Sequence, residues 1–465
     1  MIRLPRLRMP WSRDPEDPSP GLAAPEMGTI AAPSVEFAEA SRVSQTFRAL
    51  RHRNYRLYYT GQSISLSGTW MQTIAQSWLV LQITDSKAAL GLVTMFQFLP
   101  ITLLVLFAGV IADRVPKRKF LMFTMGLAAT QAVVLGFLVS TGLVELWMVY
   151  ILAATLGLAN ALEQPTRQAF IVDLVGKDDL LNAVALNSGM FNGARLIGPA
   201  IGGVLIAVVG VEAAFWINGA SFLPVIASLL MMDPKHFHTQ NVGGDRGRVD
   251  ALAELKEGIS FALHTPATLL IVILIATLGT FGYNFIVVLP LLAKYVLDGG
   301  ADQLGFLTAA VGLGALISAL LLASRSHATK FTLFVGAISF TALLGAVALS
   351  QWFLITLPLL FALGLANTAF AATANTSLQV ATPDHLRGRV MSLWMLLVAG
   401  STPIGGFLTG FLAEHIGVRE AVGVNAAACV VGTGLGLAYF LTHRREITQT
   451  SDANRAQTAL AQEGA

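Results

Sequence analysis

One charged side chain lies deep inside an apolar stretch of this 465-residue sequence. Arg195 stands about 13 residues, or ~20 Å, into its segment. Leaving a guanidinium at the centre of a membrane costs about 3 kcal/mol even on the mildest scale, so Arg195 must face protein or water and find partners. Its planar fork of donors can hold backbone carbonyls and so tie helices together, or it can meet an anionic solute or a gating contact. Both roles stay open on sequence alone. In the first apolar segment Gln62, Ser65, Thr69, Gln72 and Gln76 recur at steps of three and four, which puts amides and hydroxyls on one helical stripe. Such a stripe is either interhelical hydrogen-bond glue or the wall of a water-filled cavity, and its length favours the cavity. Further on, Gly279, Gly282, Tyr283 and Asn284 predict a weakened helix with polar groups at mid-depth, and Asn367 and Asn375 add polarity in a later segment. These groups suit the recognition of a solute.

Bond-making chemistry has no comparable constellation. No Gly-x-x-x-x-Gly-Lys-Ser/Thr segment is present, so nothing suggests ATP hydrolysis. All eight histidines lie outside the apolar segments, and Cys429 is the single cysteine, which excludes an intrachain disulfide or a Cys-based metal site. No catalytic residue, cofactor or metal is expected. A membrane enzyme would need clustered His or acidic residues at one depth.

The elements that must position these side chains are long helices. Hydrophobic residues make up 54% of the sequence and charged ones 12%, about half the share in a soluble domain. Twelve spans are predicted, at roughly 55–80, 88–112, 120–141, 146–164, 182–209, 213–232, 268–292, 303–324, 331–350, 354–378, 389–413 and 421–442. Lys and Arg cluster in alternate loops, at Arg48 to Arg56, Arg114 to Lys119, Lys235 to Lys256, Arg387 with Arg389, and Arg444 with Arg445. The intervening loops offer only Lys87, Lys294 and Arg419. The positive-inside rule then puts both termini in the cytoplasm, as an even span count requires. The basic clusters are not interleaved with aromatics on a soluble domain, so no nucleic-acid role is expected. Residues 1–47 and 443–465 read as disordered cytoplasmic tails without a signal peptide. The polar segment 233–266 separates a block at 48–232 from one at 267–442. Within it Leu252, Leu255, Ile259 and Leu263 predict a short amphipathic helix along the cytoplasmic membrane face.

The two blocks repeat. Leu-Gly-Leu-Ala-Asn occurs at Leu156–Asn160 and again at Leu363–Asn367. Asp178, Leu180 and Val184 recur as Asp384, Leu386 and Val390, and Pro199 with Gly202 and Gly203 recurs as Pro403 with Gly405 and Gly406. Three landmarks at nearly one offset indicate a duplicated unit, an arrangement common in secondary transporters.

The loop after the second span, GVIADRVPKRK from Gly109 to Lys119, closely resembles the signature of the major facilitator superfamily, with Pro116 in place of a usual Gly. FRALRHRNYRLYY, QPTRQAF and PDHLRGRVMSL resemble the branch that holds enterobactin exporters and macrolide-efflux proteins, and the likeness covers essentially 48–442. Gly198-Pro199-Ala200-Ile201-Gly202-Gly203 is similar to the end of the superfamily's antiporter motif, although Ala185 and Ala194 stand where its upstream glycines would be. The resemblance implies an all-α fold of twelve transmembrane helices in two pseudo-symmetric six-helix bundles. It implies a monomeric multi-pass protein of a bacterial inner membrane that exports a bulky amphipathic compound, a drug or siderophore, with protons as the coupling ion. Importing a small metabolite and sensing without transport are the alternatives. The first, fourth, seventh and tenth helices would line the cavity, with Ser65, Thr69, Gln72, Gln76, Arg195, Tyr283, Asn284 and Asn367 as substrate contacts. Conformational switching would fall to Gly109, Asp113, Arg114, Lys117, Arg118, Glu163, Arg167, Gly198, Pro199, Gly202 and Gly203. Glu163 and Asp113 are the nearest carboxylates for coupling.

Overall fold

The computed structural model describes residues 47–238, 251–323 and 329–447; the side chains of 105–110, 113–114, 251–255, 323 and 384–385 fall outside that description. The predicted tails therefore lie almost wholly outside the described residues, as do the side chains of Gly109, Asp113 and Arg114.

Six helices form the first half: α1 (Arg53–Thr84), α2 (Lys87–Arg114), α3 (Lys117–Ser140), α4 (Leu146–Val175), α5 (Leu180–Val208) and α6 (Val211–Met231). A short helix, α7 (Ala251–His264), leads into α8 (Pro266–Gly282) and α9 (Phe285–Tyr295). These two halves of one interrupted span are followed by α10 (Ala301–Ala323), α11 (Lys330–Leu349), α12 (Phe353–Ala381), α13 (Asp384–Ile416) and α14 (Val418–Thr442). Eleven of the resulting spans are long and apolar enough to cross a membrane among the described residues. The twelfth is α1, with 32 residues and the polar stripe that lowers its hydropathy.

Each half packs in the same way. Helix α2 lies on α4, α1 on α6 and α3 on α6; the counterparts are α10 on α12, α8 on α14 and α11 on α14. The halves meet along two seams, α2 with α13 and α10 with α5, which are each other's symmetry mates. The sequence repeat explains this. A β-carbon at Gly157 of the first LGLAN would collide with the Gln97 carbonyl oxygen of α2, and one at Gly364 of the second would collide with the Val311 carbonyl of α10. Bilayer lipid offers no hydrophobic drive for helix pairing, so small residues that admit a neighbouring backbone decide where helices touch. The repeated pentapeptide makes the same backbone approach in each half.

The seventh span breaks at Tyr283 and Asn284. The Asn284 side chain donates to the Thr280 carbonyl (2.7 Å) and to Thr409 Oγ1 of α13 (3.2 Å), drawing the main chain out of the helical ladder. Pro290 then denies Ile286 its helical donor. Helix α7 sits against α13 through Gly258, where a β-carbon would stand 2.8 Å from the Arg389 carbonyl oxygen, and through an Arg389–Glu257 ion pair of 2.5 Å. On the predicted apolar face of α7, Leu263 is exposed.

Gly157→Val and Gly364→Val should each cost about 1–3 kcal/mol through overpacking. Gly434, by contrast, has no atom within 4 Å of an added β-carbon. Thermal denaturation in detergent is expected to show lowered midpoints for the first two and a wild-type midpoint for Gly434→Val. Equal midpoints for all three would remove the close-approach role assigned to the repeat.

Candidate functional site

A cavity of about 100 Å³ lies where the halves meet, lined by Trp70, Thr73, Ile74 and Ser77 of α1, Arg195 of α5, Tyr283 at the break, Phe285, Ile286, Leu289 and Pro290 of α9, and Thr308 and Val311 of α10. The Arg195 guanidinium sits over the Trp70 indole, 5.7 Å from the ring centroid, and Trp70 is in turn braced edge-on by Phe191 at 5.8 Å. Among the described residues no carboxylate pairs with Arg195. Cation–π attraction therefore holds a charge that a salt bridge would otherwise hold, at about 0.5–2 kcal/mol. The Tyr283 hydroxyl is buried without a partner, and its ring meets Phe340 edge-on at 5.7 Å.

Of the predicted contacts, Arg195 and Tyr283 line this cavity. The amides of the α1 stripe instead face neighbouring helices. Gln72, fully buried, donates to Gln131 of α3 (2.8 Å) and accepts from Asn218 of α6 (2.7 Å). Gln76 donates to Gln97 of α2 (3.2 Å). Ser65 is buried and its carbonyl accepts from Thr69 (3.0 Å). Asn284 belongs to the α9–α13–α14 contact, where Asn425 also donates to Thr409 (2.8 Å). Asn367 is buried on α12 with an unpaired side-chain oxygen, away from the cavity wall. The face of α1 that does line the cavity is displaced by one position, to Trp70, Thr73, Ile74 and Ser77. Its signal in the sequence was a second hydroxyl series, Ser63, Ser67, Thr73 and Ser77, beside the amide stripe.

The residues expected to take part in switching fall into two groups. At the basic end, Lys117 pairs with Asp173 of α4 (2.8 Å), and Arg118 donates to the Leu229 and Leu230 carbonyls at the end of α6 (2.6 and 2.9 Å). Arg167 is buried, pairs with Glu163 one turn away (2.8 Å) and donates to Asn187 of α5 (3.3 Å). All of these contacts stay within the first half. Gly198, Pro199, Gly202 and Gly203 instead bring α5 against its neighbours. A β-carbon at Gly198 would stand 2.6 Å from the Ser67 carbonyl, one at Gly202 2.8 Å from Met71 Cγ, and one at Gly203 2.7 Å from Gly305 Cα across the seam. A β-carbon at Gly305 would stand 2.8 Å from the Pro199 carbonyl.

A cluster that the sequence did not single out closes the opposite end. Glu414 of α13 accepts from the Lys87 and Ala88 amides (2.6 and 3.1 Å) and from Ser86 Oγ (3.3 Å), so a carboxylate of one half caps the first turn of α2 in the other. Lys294 donates to the Leu81 carbonyl and pairs with Asp85 (2.6 Å each), Tyr295 donates to Asp85 (2.6 Å), and Lys87 lies 4.8 Å over the Tyr295 ring. Below this cluster the glycine seams run inward to Thr102, which donates to the Ala399 carbonyl (3.2 Å), and to Arg195. Toward the basic end, Gly189 and Gly193 of α5 and Gly388 of α13 border open space.

Residues 44–463 match the family described as Transmembrane secretion effector (MFS_3). The staphyloferrin A transporter of Staphylococcus aureus is 25% identical over 86% of this chain and 98% of its own length. The multidrug efflux pump Tap of Mycolicibacterium fortuitum is 28% identical over 83% of this chain and 95% of its own, and the enterobactin exporter EntS of Shigella flexneri is 24% identical over 86% and 94%. In fold, the chain is similar to a bacterial homolog of the human lysosomal transporter Spinster in an inward-facing, occupied conformation, with TM-score 0.67, 14% identity, and 85% and 98% of the two chains covered. The nucleoside transporter NupG (D323A mutant) gives TM-score 0.66 at 11% identity, covering 84% and 99%.

Weakening the Glu414 cap or the Lys294 contact should let the closed end part. With spin labels at Gln82 and His415 in a Cys429→Ala background, Glu414→Gln and Lys294→Ala are each expected to enlarge the long-distance population in pulsed EPR. Unchanged distributions would show that the glycine seams alone keep this end shut. In Glu414→Gln the Asp85–Lys294 pair is the remaining ionic contact of this cluster. The hydrogen bond from Lys294, then that from Tyr295, holds the exposed Asp85 carboxyl below its usual range. That contact is therefore present above the ordinary carboxylate pKa and is lost as pH falls through the depressed value. The distances in this variant should hold between pH 8 and pH 5.

Proposed function

The chain belongs to the Transmembrane secretion effector family of major facilitator transporters, and we propose that it exports a bulky amphipathic compound of the drug or siderophore class by alternating access. The observation that carries this reading is the Arg195 cavity between the two sets of six helices, with two seams and a polar cluster joining the halves toward one end, while toward the other β-carbons at Gly189, Gly193 and Gly388 would meet no atom within 4 Å. The Lys/Arg-rich end is assigned to the cytoplasm. On that assignment the structure is the inward-facing state, ready to load from the cytoplasm or the inner leaflet of a bacterial inner membrane. Both termini then lie inside, and the protein works as a monomer and as a carrier without catalytic chemistry.

Opening outward requires Glu414, Lys294 and Asp85 to part while the basic end closes. Gly109, Asp113 and Arg114, at the end of α2, are assigned to that closure with Lys117, Arg118, Glu163 and Arg167. The contacts of the last four within one half support a rigid block that moves as a unit. Protons are the proposed driving ion. The cavity wall carries no carboxylate among the described residues, and coupling is assigned to the nearest carboxylates, Asp113 and Glu163, the latter mostly buried beside Arg167.

The test is transport in inverted membrane vesicles, with a panel of labelled amphipathic drugs and siderophores. Accumulation that an uncoupler collapses is expected for at least one compound. Accumulation only in right-side-out vesicles would make the protein an importer, and none in either orientation would favour a sensor. Arg195→Ala should reach the membrane and be inactive, while Arg195→Lys, which keeps the charge and loses the fork, should be strongly impaired. Normal transport by Arg195→Ala would remove this residue from the substrate path.

A further inference from the structure

Two side-chain donors at the cavity are without a hydrogen-bond partner among the described residues, and the start of a helix lies beside them. The Arg195 guanidinium has no carboxylate partner among the described residues and rests on Trp70 at 5.7 Å. The Tyr283 hydroxyl is buried and unpaired. Phe285 and Ile286, the first two residues of the 11-residue helix α9, line the same wall, so the positive end of that helix lies at the cavity. The hydroxyls that also face the cavity have their hydrogens committed to their own helices and add no further donor. Thr73 has given its hydrogen to the Thr69 carbonyl (3.0 Å), Ser77 to Thr73 (2.9 Å) and Thr308 to Leu304 (2.9 Å). The donors left over are a cation, a phenol and a helix terminus, and no acidic side chain lines the wall among the described residues. Half-helix N-termini that meet the anionic group of a substrate recur in transporters with interrupted spans.

We infer that this cavity is an anion subsite: the transported compound carries a carboxylate or other delocalised oxyanion on an aromatic body, with the oxyanion between Arg195 and Tyr283 and the ring against Trp70 and Leu289. The inference rests on the export reading and narrows it, because a cationic amphiphile would meet the unneutralised charge of Arg195 here. The fork of Arg195 fits two oxygens at once, whereas the indole below it fixes the guanidinium plane without neutralising it. A neutral compound of the same shape keeps the ring contacts and loses the charge-assisted pair.

The test is a matched set of probes, 2-naphthoate, 2-naphthamide and (2-naphthylmethyl)trimethylammonium, bound to the full-length protein in nanodiscs and measured by equilibrium dialysis against empty nanodiscs. The wild-type protein is expected to bind 2-naphthoate at least about tenfold more tightly than either other probe. Arg195→Gln should erase the preference, and Tyr283→Phe should weaken naphthoate binding several-fold at an unchanged thermal midpoint. Equal binding of the three probes by the wild-type protein overturns the anion subsite whether or not any variant folds. Discrimination that survives in Arg195→Gln overturns it as well, because the anion then binds elsewhere. Probe binding is read without transport. Loss of discrimination beside intact vesicle transport would sink the subsite alone, and naphthoate selectivity beside no transport would sink the export reading alone.

Discussion

The architecture depends on backbone meeting backbone at glycine. In lipid a helix gains little by burying an apolar face against another, since hydrocarbon already solvates it, so association follows from how closely two main chains can approach. Here that approach is used twice over. Gly157 and Gly364 fix α4 on α2 and α12 on α10 within the halves, while Gly203 with Gly305, and Gly91 with Gly410, join the halves across the seams. At Gly410 a β-carbon would stand 2.9 Å from Gly91 Cα, and at Gly305 it would stand 2.9 Å from Gly203 Cα. The two seams therefore have the same chemistry and nearly the same spacing. That is the structural meaning of a repeated sequence: one packing solution, used in both halves and at both junctions.

Charge is distributed to suit this frame. The end poor in Lys and Arg keeps Lys87, Lys294 and Arg419, and the structure engages all three: Lys87 over Tyr295, Lys294 with Asp85, and Arg419 donating to the Ala348 carbonyl (3.2 Å). At the end poor in cations, those that persist are held by specific contacts, two of them at the junction of the halves. Arg195 follows the opposite logic. Its position three residues before Gly198 places it where α5 turns from its own half toward the seam, and the Trp70 ring holds it there in place of an acid. An acid would have neutralised it and removed its attraction for a solute.

Much of this was legible in the residues. The twelve spans follow from length and hydropathy, and the interruption of the seventh from Gly279, Gly282 and Asn284. The repeat pointed to the halves, and Arg195 marked the cavity because a buried guanidinium needs a reason. The α1 stripe was harder to read. Gln72 and Gln76 look like cavity-lining residues because they are polar and periodic, but amide side chains bond each other as readily as they bond a solute. Only the rotation of α1 against α3 and α6 decides which faces inward, and that rotation is set by Gly68 making room for Asn218 and Ser221. The Glu414 cap was invisible for a related reason. Glu414 and Lys87 lie 327 positions apart, and nothing local to either records their meeting.

The two kinds of junction also differ in how they can come apart. A glycine seam is short-range, and the main chains that meet there are already hydrogen-bonded within their own helices, so parting it breaks none of those bonds. The cluster around Glu414 is polar and sits at the rim, where water can replace each broken bond as it parts. Neither leaves an unsatisfied buried charge when the halves separate, so the separated state is not penalised as it would be by a broken buried salt bridge. The buried pair Glu163–Arg167 is kept inside one half, where rocking leaves it intact. Placing breakable contacts between the halves and costly ones within them suits a carrier, because a bound solute can shift the balance between two arrangements only when they lie within a few kcal/mol of each other.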